Sequence, residues 1–168
     1  MRLVCYWLPV FIWVGVVAYL SSLPHIFVTE IPYLVPVLQK MVDVLIRLPY
    51  AAQVVNILLG VDLSTINLNN SETLRAANFL FRKGMHVLVY LVLGFLTIRA
   101  LINTIRRAPI LLTILFVTAV AAADEYHQTF NPARAARVMD VGLDVSGGII
   151  GIGVYLVLRW FLLKLRMR

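Results

Sequence analysis

Charge is what this chain has least of. Of its 168 residues only 14% are Asp, Glu, Lys or Arg, 61% are hydrophobic, and the mean hydropathy is +0.90. A soluble domain carries about a quarter of its residues as charges, so that class is excluded and the composition is that of an integral membrane protein. The single cysteine, Cys5, excludes an intrachain disulfide, and it stands too near the start to follow a signal-peptide core and be lipidated. Internal repeats and low-complexity tracts are absent. So is a nucleophile elbow, because Ser146 in DVSGG lacks the elbow context and reads as a small packing residue. No pair of histidines brackets a glutamate at helical spacing, so the donors for a metal are present without a tight ligand motif, and a divalent cofactor is only weakly signalled. Acidic balance is also missing. The net charge is +7 and the pI near 10.0, yet the bases are scattered at the ends of apolar runs and no basic patch carries interleaved aromatics. Membrane topology accounts for them, and nucleic acid is excluded as a partner.

What is present is a set of four long apolar runs, at about 3–20, 84–102, 108–123 and 141–163. They are read as four spanning helices, their lengths lying near the roughly 20 residues that a bilayer core requires. The first exceeds a signal-peptide core and no small-x-small cleavage site follows it, which predicts an uncleaved span. The expected fold is all-α: one membrane domain over 1–168, a four-helix bundle with an interfacial amphipathic helical insertion, 25–82, between the first two spans. Within the insertion, Leu34, Val37, Leu38, Met41, Leu45 and Leu48 recur at helical spacing with Gln39, Lys40, Asp43 and Arg47 off that stripe. A helix lying in the membrane interface fits that pattern better than a span. A further helix start is expected at Asn70 or Ser71.

With four spans both termini share a side, which carries Arg2, Arg106, Arg107, Lys164, Arg166 and Arg168. The opposite flanks carry Arg82, Lys83, Arg134 and Arg137 mixed with acids, so the termini are expected in the cytoplasm.

The stretch ADEYHQTFNPARAARVMDVGLDV, 123–145, then stands out. Asp124, Glu125, His127 and Gln128 leave the end of the third run, and Asp140 and Asp144, four apart, share one face at the start of the fourth. Lys83, His86 and Tyr90 share one face where the second begins. Three helix ends therefore meet at one membrane face. Ionisable groups at that depth are costly and turn inward to pair, so the set is either a site or a structural ion-pair network. Gly147 and Gly151, four apart, fit close helix contact that would draw Asp140 and Asp144 toward the other helices.

SSLP after the first span, KGMHVLVYLVLG at the second, and above all DEYHQTFNPARAARVMDVGLDVSGGIIG resemble the VanZ-like membrane proteins, loosely over 13–24 and closely over 83–153. The resemblance singles out Lys83, His86, Tyr90, Asp124, Glu125, Gln128, Arg134, Asp140 and Asp144, and His127 fits a position where the family often has histidine. Ala133 departs from the glycine that usually precedes the arginine, and alanine enters a left-handed turn less cheaply. The family implies a bacterial envelope protein in the cytoplasmic membrane, its founding member being associated with reduced susceptibility to the lipoglycopeptide teicoplanin.

Two classes of function follow. In one, an outward-facing polar pocket recognises an amphiphile, a lipid-linked cell-wall intermediate or a lipoglycopeptide, with Lys83, Arg134 and Arg137 meeting phosphate or carboxylate. In the other, the pocket is a hydrolase or transferase site, with Glu125 or His127 as general base and Asp140 and Asp144 orienting an imidazole or holding a metal.

Overall fold

The computed structural model describes residues 2–22, 34–48, 50, 53, 71–105, 107–130 and 138–167. Among the described residues the regular elements are helices: α1 (Arg2–Ser22), α2 (Leu34–Arg47), α3 (Ser71–Thr104), α4 (Pro109–Gln128) and α5 (Val138–Arg166). Two compact units are present, one of Met1–Pro24 with Lys83–Arg168, the other His25–Arg82. In the second unit α2 is a helix over part of the 25–82 segment, and Gln39 donates to Asp43 one turn on (3.0 Å). The start of α3 at Ser71 agrees with one of the two expected positions.

Among the described residues four helices are long and apolar enough to cross a membrane: Leu3–Ser22, Phe81–Thr104, Pro109–Gln128 and Met139–Arg166. Large apolar side chains such as Phe11, Leu88, Leu115, Val157 and Phe161 are exposed along them, which suits a hydrocarbon solvent and not water. The third span runs five residues past its expected end. Asp124, Glu125, His127 and Gln128 therefore belong to the last turns of α4, a correction to their reading as residues leaving the helix. The reason is local. Glu and Gln sustain a helix, and the next breaker in the sequence is Asn131-Pro132. At its other end α4 opens with Pro109 after Ala108, whose left-handed φ of 44° turns the chain sharply after α3.

The helices alternate in direction. Trp13 Nε1 donates to the Val89 carbonyl at 2.9 Å, and Arg99 lies 5.6 Å over the Tyr6 ring, so α1 runs opposite to α3. The contacts of α3 with α5 rise together in number, Lys83 with Asp140, His86 with Asp144, Phe95 with Tyr155, which makes those two parallel. Asp124 lies near Asp144, and Val117 reaches the Gly148 position, so α4 runs against α5. The core collects Val10 and Val17 of α1, Tyr90, Leu93 and Ala100 of α3, and Val117 and Ala121 of α4.

Between α3 and α5 the contact is backbone to backbone. A methyl group on Gly147 would come within 2.6 Å of the Val87 carbonyl oxygen. One on Gly151 would collide with the Leu91 carbonyl, and one on Gly94 with that of Gly148. Only glycine admits this approach, as in other close-packed membrane helices. The expected close contact at Gly147 and Gly151 is therefore observed, and Gly94 supplies the matching gap from the other side. On α4, Val117 fills the space beside Gly148.

Candidate functional site

Each helix of the bundle buries one stripe, and at one end those stripes turn polar. On α4 the buried positions are Thr113, Val117, Ala121, Asp124, Glu125 and Gln128, a helical repeat that carries two carboxylates and an amide into the interior on the same face as Val117 and Ala121. On α5 the stripe of Gly151, Gly148 and Gly147 continues to Asp144, which is 1% exposed. On α3, Leu93 and Tyr90 continue to His86 and Lys83. Because α3 and α5 touch through glycines, their polar side chains meet directly.

Two pairs span that contact. The Lys83 ammonium donates to an Asp140 carboxylate oxygen at the outer edge, where both side chains are about one-fifth exposed. One turn deeper, His86 Nδ1 lies 3.2 Å from Asp144 Oδ1. From α4, the Gln128 amide donates to Asp124 Oδ2 at 2.9 Å, a bond between i and i+4 that fixes the carboxylate. One donor atom each from His86, Asp124 and Asp144 lie within 4.8 Å of one another. The helix dipoles divide these acids. Asp140 sits in the first turn of α5, where a carboxylate is favoured, whereas Asp124 and Glu125 sit in the last turns of α4, where it is disfavoured by about 0.3–1 kcal/mol each. Stability of the helix alone does not explain acids there.

Of the residues singled out by the sequence, Lys83, His86, Tyr90, Asp124, Glu125, Gln128, Asp140 and Asp144 all lie at this end, with Tyr90, Asp124, Glu125, Gln128 and Asp144 buried. His127 also lies there but faces outward, off the buried stripe of α4. Arg134 and Arg137 lie outside the described residues. Sequence reasoning passed over Trp13, Gly94 and Ser21. Trp13 was hidden in an apolar run, although an indole N–H at membrane depth must find an acceptor. Ser21 belongs to the SSLP stretch; its hydroxyl is buried without a hydrogen-bond partner among the described residues.

A family model described as VanZ/LLP1 matches residues 6–159. The chain belongs to the VanZ/LLP1 family. The match is wider than the motifs that suggested it, since it runs from the first span almost to the end of α5 and takes in 25–82. Lys83, His86, Tyr90, Asp124, Glu125, His127, Gln128, Asp140 and Asp144 all fall inside the VanZ/LLP1 region. No curated protein and no solved structure matches the chain.

Proposed function

We propose that this VanZ/LLP1 protein uses the polar end of its bundle to recognise the head group of an amphiphile, a lipid-linked cell-wall intermediate or a lipoglycopeptide. Acting there, it contributes to the envelope phenotype with which the family is associated, reduced teicoplanin susceptibility. The observation that carries the reading is the convergence of Lys83, His86, Asp124, Gln128, Asp140 and Asp144 from three apolar helices at one end. A network that served only to hold helices in register would match its acids with bases. Here Asp124 is held by an amide, and the Tyr90 hydroxyl, 1% exposed, has no hydrogen-bond partner among the described residues. In this reading the chain lies in the bacterial cytoplasmic membrane with both termini inside and the polar end outside. The bases Arg99, Arg107, Arg159, Lys164 and Arg166 toward the opposite end support that orientation. Arg134 and Arg137 meet phosphate or carboxylate, and the insertion 25–82 meets the acyl or prenyl chain.

Native mass spectrometry of the gently purified wild type, beside Glu125→Gln and Arg134→Ala, tests this. The expected result is a co-purified anionic lipid that persists in Glu125→Gln and is lost in Arg134→Ala. Expression in a teicoplanin-susceptible host should lower susceptibility in the same order. Absence of any adduct, with both variants destabilised, would sink the reading in favour of a structural network.

The contact of His86 with Asp144 favours a second reading, in which the site is catalytic. An imidazole held by a buried carboxylate is the arrangement of a general base, and it shifts that role from His127 to His86. Under this reading His86→Gln abolishes turnover of a lipid-linked substrate while leaving its binding in place.

A further inference from the structure

The acids at the polar end are unequally matched. Asp140 has the Lys83 ammonium, but among the described residues Asp144 has the His86 ring and Asp124 has the Gln128 amide. Two carboxylates, 1% and 8% exposed, thus share one imidazole and one amide at membrane depth, and Asp124 does so at the unfavourable end of its helix. Beside them the buried Tyr90 hydroxyl stands one turn on from His86 along the same face. It has no partner among the described residues and lies within electrostatic reach of Asp124, Asp144 and Glu125.

We infer that His86, Asp124 and Asp144 form a binding site for one divalent transition-metal ion, zinc above all, with the Tyr90 hydroxyl turned toward the ion or a water that it carries. Four features support this. The charge closes, because two carboxylates and a neutral imidazole balance a divalent cation in a place where surplus charge is costly. The donors fit, because imidazole with carboxylate suits zinc and its neighbours, whereas magnesium and calcium prefer sets of oxygen alone. The spacing fits too. Ligands at the usual zinc distances stand about 3.3 Å apart at tetrahedral angles, and His86 and Asp144 are already at 3.2 Å. The third donor, an Asp124 carboxylate oxygen, lies within 4.8 Å of both. Finally, Gln128 donates to the Asp124 carboxylate, an outer partner of the kind that metal-binding carboxylates have.

Three protein donors leave a position open. An anionic oxygen, phosphate or carboxylate, would fill it, which explains how a pocket lined with acids takes an anionic head. That last step rests on the amphiphile reading; the ion site itself does not.

The test uses the full chain in detergent, stripped with a chelator and titrated calorimetrically with Zn²⁺, Mn²⁺ and Mg²⁺ separately, then with Co²⁺ as a visible-absorption probe. Wild type should bind about one zinc per chain, tighter than magnesium, and cobalt should give the absorption bands of a nitrogen–oxygen site of low coordination number. His86→Gln and Asp144→Asn should weaken zinc binding by more than the about 10- to 100-fold expected when Gln128→Ala removes an outer partner. Cys5→Ser should bind as wild type does, which excludes the thiol as an adventitious ligand. Absence of saturable one-to-one binding by wild type overturns the site whatever the variants do. Magnesium binding as tightly as zinc overturns the metal class, and a folded His86→Gln that binds normally overturns the ligand set. If zinc binds but its removal leaves the co-purified lipid in place, the ion site stands and its link to the head group fails.

Discussion

The seam between α3 and α5 holds two regions that solve the same problem in opposite ways. In the middle, Gly94, Gly147 and Gly151 let the helices touch without side chains, and dispersion between close backbones holds them. At the end, Lys83, His86, Asp140 and Asp144 hold the same two helices through charge and hydrogen bonds. The glycine region needs nothing from outside the chain. In the polar region, among the described residues, Asp124 is held by an amide and not by a base. The difference teaches where to look for function: the apolar region sets a distance, and the polar region uses it.

The comparison breaks most completely at Gly151. A leucine there would drive its side chain into the Leu91 carbonyl, backbone against backbone with no side chain free to yield. The expected loss is about 3 kcal/mol, the upper end of overpacking costs. It should show as a fall in thermal stability in detergent together with loss of whatever ligand the polar end holds, because His86 and Asp144 are carried apart. If stability fell but ligand binding survived, the seam would not be what positions the site.

Next in size is Asp144→Leu, which leaves the His86 ring with its buried partner gone and should cost about 1–3 kcal/mol. Unlike Gly151→Leu, it should abolish ligand binding while the protein still purifies as a folded species by gel filtration. Lys83→Met, at the outer edge, should cost no more than about 1 kcal/mol, since its pair with Asp140 is reached by water. Thermal melts at low and high salt would check this, with the wild-type advantage shrinking as salt rises.

The smallest effect sharpens the comparison from the other side. Gly153 is on the same helix as Gly151, but a methyl group there meets nothing within 4 Å. Gly153→Ala should therefore be neutral or raise stability by up to about 1 kcal/mol through helix propensity. If it proved as damaging as Gly151→Leu, the seam would not be the reason that glycine matters in α5.

The sequence made much of this legible because its signals were local. Hydropathy located the four spans to within a few residues, since a bilayer demands an unbroken apolar run whatever the neighbours do. The i, i+4 spacing of Asp140 and Asp144 placed both on one face, as the contacts with Lys83 and His86 require. Less legible was the end of α4. The polar residues from Asp124 to Gln128 read as an exit from the helix, yet they continue it, because polarity by itself does not end a helix and the next breaker is Asn131-Pro132. His127 and Glu125 looked equivalent in sequence, two apart and both titratable. The helix turned Glu125 inward and His127 outward.

By itself, then, the sequence determined that this chain is a helical membrane protein of the VanZ/LLP1 family with four spans and a polar end, because apolar run length and residue spacing are properties of the chain alone. Only the tertiary structure decided which polar groups meet. That choice depends on the glycines of α3 and α5 lying in register, a fit between segments more than fifty residues apart that sets Lys83 on Asp140 and His86 on Asp144.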